Sequence, residues 1–378
     1  MTQRKKILVL AGFAHSLVNF RGSLLREMVV RNHTVIAAAP IDGHSRAVGK
    51  ALSEIGVHYV DVPLARSGMN PWQDLQSYRS LLGLLRVHQP DLVFAYTAKA
   101  VIYGGMAVRK VGGVRFFPMI TGLGYAFTED EGFKRKAVRA LLQGLYRRGL
   151  VAADAVIFQN ADDEALFRSL NLQPQGAHSV RVHGSGVDLA AFPPMPLPDA
   201  PVFLMLARLV ADKGVREYAV AARQVKRRYP NAVFRLAGGL DPNPASITER
   251  ELQAWVDDGV IEYLGNVQSV QAALAACRFY VLPSYYREGT PRSVLEALAT
   301  GRPVITTDAP GCRETVRHGQ NGILVAPRNS ADLSSAMIKL IELPQTDIQR
   351  MADASLAMAR DKYDVHEVNA QILRVMGL

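Results

Sequence analysis

Two pairs of charged residues in the second half of the chain have the types and spacing to do chemistry. In "ARLVADKG" (207–214), Arg208 and Lys213 follow the apolar run "PVFLMLARL" and precede a helical pattern, which puts them in a strand-to-helix loop. Backbone N–H groups and a helix N-terminus favour an anion at such a loop. An arginine fork and a lysine point charge beside them suit a diphosphate. Read alone, the two residues equally fit a pair of solvated surface cations. The second pair lies in "YREGTPRSVLEALATGRPVI" (286–305), where Glu288 and Glu296 are separated by seven residues. Glu296 is flanked by Val294, Leu295, Ala297 and Leu298, so it falls in what reads as a buried helix. An ionised carboxylate taken out of water without a partner costs several kcal/mol or more. The partner is either the vicinal hydroxyls of a ribose or hexose, or an arginine of the core. Thr290 reads as the cap of a helix whose first residue is Pro291, with the N–H groups of Arg292, Ser293 and Val294 turned toward the ligand.

The elements that must hold these residues alternate regularly. "KILVLAG", "TVIAAAP", "HYVDVPL", "DLVFAYT" and "RFFPMIT" read as strands in the first half, and "PVFLMLARL", "AVFRLAGG", "IEYLG", "FYVLPSY" and "PVITTD" in the second. Short, wholly apolar strands separated by helical patterns imply parallel sheets covered on both faces. The five prolines of "FPPMPLPDAP" (192–201) fit neither element type and read as a linker. The expectation is two doubly wound α/β domains, residues 1–191 and 202–362, with the linker 192–201 between them. Ligands of such sheets bind beyond the carboxyl ends of the strands, here in a cleft between the two domains.

Composition excludes several classes. Of the 378 residues, 49% are apolar and 21% charged, a globular balance. Cys277 and Cys312 are the only cysteines, too few for a disulfide framework or a cysteine-rich metal site, and they fit a reducing compartment. "RKKILVLAGFA" resembles a short signal peptide, but its apolar run ends early and reads better as a first buried strand. No run approaches the roughly 18 apolar residues of a membrane span. The net charge of +10 is uneven: residues 1–195 carry 23 lysines and arginines against 14 acids, the remainder 21 against 20. Within the basic half, "FKRKAVRALLQGLYRRGLV" (133–151) places Val138, Leu141, Leu142, Leu145 and Tyr146 at helical spacing opposite Lys134, Arg135, Lys136, Arg139, Arg147 and Arg148. The segment fits an ordinary surface helix and an anionic membrane surface alike. Basic composition alone also suggests nucleic acid, but none of the common binding modules is present.

The R-x4-K pair (Arg208, Lys213) and the E-x7-E pair (Glu288, Glu296) together resemble the family 4 retaining glycosyltransferases of the GT-B fold, in which two Rossmann-like domains face a central cleft. "FRLAGG", "IEYLGNV" and "YVLPSYYREGTPRSVLEALATGRPVITTDAPGCRE" follow that family's order. "RSGMNPWQDL", "TAKAVIYG", "TGLGYAFT", "VIFQNADDE" and "VHGSGVDLAAF" extend the resemblance across essentially the whole chain. It is similar to bacterial capsule and O-antigen enzymes, including N-acetylgalactosaminyltransferases that extend undecaprenyl-diphosphate-linked bacillosamine.

That resemblance implies a set of roles. Arg208 and Lys213 would hold the donor diphosphate and neutralise charge developing on the leaving nucleotide. Glu296 would bind the ribose hydroxyls. Glu288 would touch the donor sugar, with Gly289, Thr290 and Ser293 beside it, and Gly265 and Asn266 would lie against the nucleobase. Gly12 would allow close approach of the substrates in the first domain, and His15, Asn19, Lys99 and Thr121 would lie on the acceptor side. Many relatives carry a histidine where this chain has Thr121. The final helix, 363–378, would cross back to the first domain. The donor implied is a UDP-sugar and the acceptor a polyprenyl-diphosphate-linked glycan. The site implied is cytoplasmic, peripheral on the inner membrane face through the basic domain, with no cofactor, no nucleic acid and no metal, since no D-x-D triplet occurs. A UDP-sugar epimerase of the same fold and a non-catalytic nucleotide-sugar-binding module are the alternatives.

Overall fold

The computed structural model describes residues 3–64, 68, 70–123, 127, 133–174, 176–241 and 246–378. It divides into two compact units, Met1–Ser185 with Val365–Leu378, and Gly186–Asp364. Among the described residues, the first unit carries a parallel sheet of β1 (Lys6–Leu10), β2 (Thr34–Ala39), β3 (His58–Asp61), β4 (Leu92–Tyr96), β5 (Arg115–Ile120), β6 (Ala155–Phe158) and β7 (His178–Arg181). The spatial order is β3-β2-β1-β4-β5-β6-β7. The inner strands are buried on both faces, as "LVFAY" in β4 is throughout, because helices cover the sheet on either side. The last helix, Val365–Met376, belongs to this unit: Val368, Ile372, Leu373 and Met376 enter its core, and Asn369 Nδ2 donates to Ser23 Oγ at 3.1 Å.

The second unit repeats the plan with β8 (Val202–Leu206), β9 (Val233–Ala237), β10 (Glu262–Gly265), β11 (Phe279–Leu282), β12 (Val304–Thr307) and β13 (Gly322–Val325), in the order β10-β9-β8-β11-β12-β13. In both sheets the order reverses between the first and fourth strands, so β1/β4 and β8/β11 are the switch points where loops diverge and a ligand can enter. The proline-rich stretch expected as a linker is instead fixed to the second unit. Phe192 is in its core, Arg302 Nη1 and Nη2 donate to the carbonyls of Pro196 (2.9 Å) and Met195 (3.1 Å), and Arg278 Nη1 donates to those of Pro198 and Asp199, both 2.8 Å. Prolines lack N–H groups but keep their carbonyls, and two buried guanidinium groups satisfy them.

Candidate active site

The loops above the β8/β11 switch point gather the charged residues. The loop after β8 runs through Arg208 into a short helical turn, Ala211–Lys213, and the loop after β11 carries Ser284 to Thr290. Lys213 Nζ is ion-paired with Glu288 Oε1, and Ser284 Oγ donates to the same oxygen at 3.0 Å. Both charged side chains are nearly out of solvent, at 14% and 11% exposure. Lys213 Nζ also lies 5.4 Å from the centre of the Tyr286 ring. The backbone N–H groups of Tyr285 and Tyr286 both donate to the Asp212 carbonyl at 2.9 Å, tying the two loops together. Arg208 is half-exposed, and its Nη1 meets Asp241 Oδ2 at 2.8 Å.

The helix Arg292–Ala299 follows directly. Its start differs from expectation: Pro291 occupies the cap position, no side chain caps the helix, and the Val294 N–H turns back to the Pro291 carbonyl at 3.1 Å. Proline's fixed φ suits the start of the turn. Glu296 is buried, and Arg292 Nε donates to its Oε1 at 2.7 Å. Burial pushes the Glu296 carboxyl above the usual range against the opposing pull of Arg292. Ser293 sits beside Tyr280, whose hydroxyl donates to the Leu206 carbonyl at 3.1 Å. Gly265, at φ 64°, ends β10, and Asn266 next to it is exposed; a Cβ on Gly239 would come 3.0 Å from Asn266 Oδ1. The buried thiols of Cys277 and Cys312 are pushed up to about 12 by burial, so neither is a thiolate nucleophile at neutral pH.

In the first unit, Gly12 follows β1 at the β1/β4 switch point, and a Cβ there would overlap Thr97 Oγ1. Glycine is required for the close approach of its own neighbouring loop. Thr97 has φ 73°, a strained conformation for a β-branched residue, and its Oγ1 is buried without a hydrogen-bond partner among the described residues. His15 and Asn19 are exposed on the short helix His15–Asn19, with the His15 ring edge-on to His44 at 5.1 Å. Lys99 lies in the first turn of the helix Ala98–Val111 and pairs with Asp74 at 2.6 Å. Thr121 follows β5, and much of the adjoining "GLGYAFT" lies outside the described residues, as do parts of "RSGMNP" and "GGLDPNP".

Comparison with known proteins decides the family. Residues 200–343 match the model described as glycosyl transferases group 1, and residues 19–183 match that of the glycosyl transferase 4-like domain. Both models are of glycosyl transferases, one in each half of the chain: it is a glycosyltransferase. An N,N'-diacetylbacillosaminyl-diphospho-undecaprenol α-1,3-N-acetylgalactosaminyltransferase of Campylobacter jejuni is 28% identical over 341 residues, 86% of this chain and 87% of that protein. A UDP-Gal:α-D-GlcNAc-diphosphoundecaprenol α-1,3-galactosyltransferase of Escherichia coli is 26% identical over 301 residues, 74% of each chain. Sucrose-phosphate synthase from Thermosynechococcus elongatus superposes with a TM-score of 0.81 at 17% identity, over 99% of this chain and 98% of that one, which identifies the GT-B fold.

In this glycosyltransferase Arg208, Lys213 and Glu288 fall on the adjacent loops after β8 and β11, Ser293 and Glu296 lie on the helix that follows, Gly265 and Asn266 stand apart at the end of β10, and three neighbours went unnoticed. Ser284 bonds Glu288, Tyr286 flanks Lys213, and Gly311 fits under the Glu288 loop, where a Cβ would lie 2.5 Å from the carbonyl oxygens of Glu288 and Gly289. Gly311 has φ 81° in "DAPGC", a composition that marks a turn but not what the turn supports. Thr97 was missed in the first unit; a threonine at a strand end carries no such signal. Among the described residues no helix is long and apolar enough to cross a membrane.

Proposed function

We propose that the enzyme transfers a hexose or N-acetylhexosamine from a nucleoside diphosphate sugar, a UDP-sugar, to a glycan carried on a polyprenyl diphosphate, with retention of anomeric configuration and without a metal ion. The observation that carries this reading is the Lys213–Glu288–Ser284 group at the β8/β11 switch point, with Arg208 on the same loop as Lys213. In the proposed arrangement Arg208 and Lys213 face the diphosphate and stabilise charge on the departing nucleoside diphosphate, the role a divalent cation fills elsewhere. Glu288, held by Lys213 and Ser284, faces hydroxyls of the donor sugar, with Gly289 and Thr290 alongside. Glu296 shares its carboxylate between Arg292 and the ribose, and Gly265 and Asn266 border the base.

The two relatives named above act on diphospho-undecaprenol-linked sugars, and one uses UDP-galactose. They support the donor and acceptor classes. A basic first unit suits an acceptor anchored at an anionic surface, and supports peripheral action on the inner membrane face. Gly12, His15, Asn19, Lys99 and Thr121 would line the acceptor side. The test is incubation with UDP- and GDP-sugars and a prenyl-diphosphate-linked glycan. Transfer from a UDP-sugar, an α-product from an α-donor by NMR, and activity undiminished by EDTA are expected. Transfer only from GDP-sugars, an inverted product or loss of activity with EDTA overturns the corresponding part. Conversion of the free UDP-sugar to its epimer without acceptor overturns the whole.

A further inference from the structure

The carboxylate of Glu288 is tied to the second unit's sheet through a line of buried hydroxyls. Strand β11 ends at Leu282, and Pro283, which follows, has no N–H with which to continue the ladder. Two threonines at the end of the neighbouring strand β12 take over from backbone pairing. Thr306 Oγ1 donates to the Leu282 carbonyl at 2.7 Å, and Thr307 Oγ1 donates to the Ser284 carbonyl. The Cys312 thiol, a weak donor, comes no nearer than 4.0 Å to the same Ser284 carbonyl. Thr306, Thr307 and Ser284 are all buried. Breaking such a bond out of water leaves both of its groups unpaired, so the Ser284 backbone is fixed to β12.

Ser284 passes that restraint on. Its hydroxyl has one proton and two oxygens in reach, Glu288 Oε1 at 3.0 Å and the Asp212 carbonyl at 3.3 Å. The nearer, charged acceptor takes the proton. The Tyr286 N–H, which donates to the Asp212 carbonyl at 2.9 Å, also reaches the Ser284 hydroxyl oxygen at 3.3 Å. Lys213 pairs with the same Glu288 oxygen but sets charge rather than direction, because an ammonium on a flexible four-carbon stem follows its partner through many rotamers. Gly311 packs against the carbonyls of Glu288 and Gly289 with no room for a Cβ. One short segment, 307–311, therefore meets the Glu288 loop at both ends, Thr307 at Ser284 and Gly311 at Glu288.

We propose that Thr307 is a positioning residue for the transfer reaction: its hydroxyl fixes Ser284, and Ser284 aims the Glu288 carboxylate at the donor sugar. Thr307 acts through Ser284 and touches no substrate itself. The inference rests on the reading of Glu288 as the contact to the donor sugar, and adds what holds that contact in direction.

The experiment is a double-mutant cycle on the full chain, read by transfer from the UDP-sugar to a prenyl-diphosphate-linked glycan, by calorimetric titration with UDP and by thermal unfolding. Thr307→Val keeps the shape of the side chain and removes the donor. Turnover should fall about tenfold, since a misplacement of about 1 Å costs on the order of 10²-fold. UDP affinity and the KM for the donor should stay near the parent values. Thr307→Ser keeps a hydroxyl and should restore turnover. In a Glu288→Ala background there is no carboxylate to aim, so Thr307→Val should slow transfer no further. Should Thr307→Val fail to fold, Ser284→Ala removes the hydroxyl that holds Glu288 and must show the same pattern. Parent turnover in the folded Thr307→Val variant overturns the inference. So does a fall in UDP affinity as large as the fall in turnover, no recovery in Thr307→Ser, or the same loss with Glu288→Ala present. Glu288→Ala alone separates the inference from the reading beneath it. A slow Glu288→Ala beside a parent-like Thr307→Val sinks the positioning role and keeps Glu288, whereas parent turnover in Glu288→Ala sinks both.

Discussion

The two sheets have the same strand order around their switch points, yet their loops are built from different materials. Above β8/β11 the polar groups are paired: Arg208 with Asp241, Lys213 with Glu288, Arg292 with Glu296. Above β1/β4 the contacts are steric, Gly12 against Thr97, and the nearest ion pair, Lys99 with Asp74, sits on helices at the mouth of a largely apolar cavity. On the proposed function the difference has a chemical reason. Charge develops on the donor's diphosphate, and fixed charges stabilise it only if they are already in position.

The largest effects should come from breaking the charged side. Lys213→Ala and Arg208→Ala should each lower turnover by about 10²-fold or more through lost transition-state charge stabilisation. They should part in stability. Lys213→Ala leaves the carboxylate of Glu288, only 11% exposed, without its cation, and should lower the melting temperature of the second unit. Arg208 is 51% exposed, and its pair with Asp241 should contribute little. Turnover and thermal unfolding of both variants check this. Either variant within a few-fold of the parent rate sinks the diphosphate clamp.

Next come the two glutamates. Removing one charged hydrogen bond costs about 1.5–3 kcal/mol, or on the order of tenfold to a hundredfold in a binding constant. Glu296→Gln should lose that in affinity for free UDP and for the UDP-sugar alike. Glu288→Gln should leave UDP binding near the parent value and lose it in transfer. Calorimetry with UDP beside transfer kinetics distinguishes the roles, and the reverse pattern exchanges them.

A smaller effect belongs to the first unit's surface. In the helix Phe133–Leu150, Tyr146 is buried in the core, Leu142 and Leu145 are partly buried against it, and Leu141 is 51% exposed. The side chains of Lys134 and Arg135 lie outside the described part; Lys136 and Arg139 lie within it. Each cation near an anionic surface contributes about 1 kcal/mol. Lys136→Gln with Arg139→Gln should therefore weaken sedimentation with anionic vesicles roughly thirtyfold at low salt, and neutral vesicles should bind neither protein. Equal binding of parent and variant removes the membrane surface from the proposal while leaving the transferase chemistry untouched.

What could be read from the residues follows the same division. "KILVL", "LVFAY" and "FYVL" announce two parallel sheets because strands buried on both faces have little room for polar residues. Arg208, Lys213, Glu288 and Glu296 stand out because charge beside apolar runs demands a partner. Ser284 and Thr97 stayed hidden because a hydroxyl's role depends on which loop meets it, and that is set by strand order. The cavity was equally invisible: Ile102, Met106 and Leu145 read as core in any helix, and only packing reveals that they border a hollow. The proline stretch misled because prolines rule out regular elements without ruling out docking; Arg278 and Arg302, far along the chain, hold it.

The smallest effect concerns the stability of the ligand-free protein, and its sign sharpens the contrast between charge kept for function and charge kept for folding. Removing one partner of a buried ion pair ordinarily costs about 3–5 kcal/mol, because the other is left charged and dry. Glu296 differs in that burial already raises its carboxyl above the ordinary value, outweighing Arg292. A folded-state value above the unfolded one means the native protein holds the proton more readily. The contribution of Glu296 to stability is thus fully present at acid pH and lost as pH rises through the folded-state value. At neutral pH its charge works against the fold. Arg292 has a side chain 27% exposed and can turn to solvent when the pair is broken. Glu296→Gln should therefore melt no lower than the parent at pH 7, and its stability should fall less between pH 4.5 and pH 7, while its UDP affinity drops. Thermal unfolding across that pH range, with and without UDP, measures both. A variant that loses several kcal/mol without ligand would make Glu296 a structural residue and return its partner to Arg292 alone.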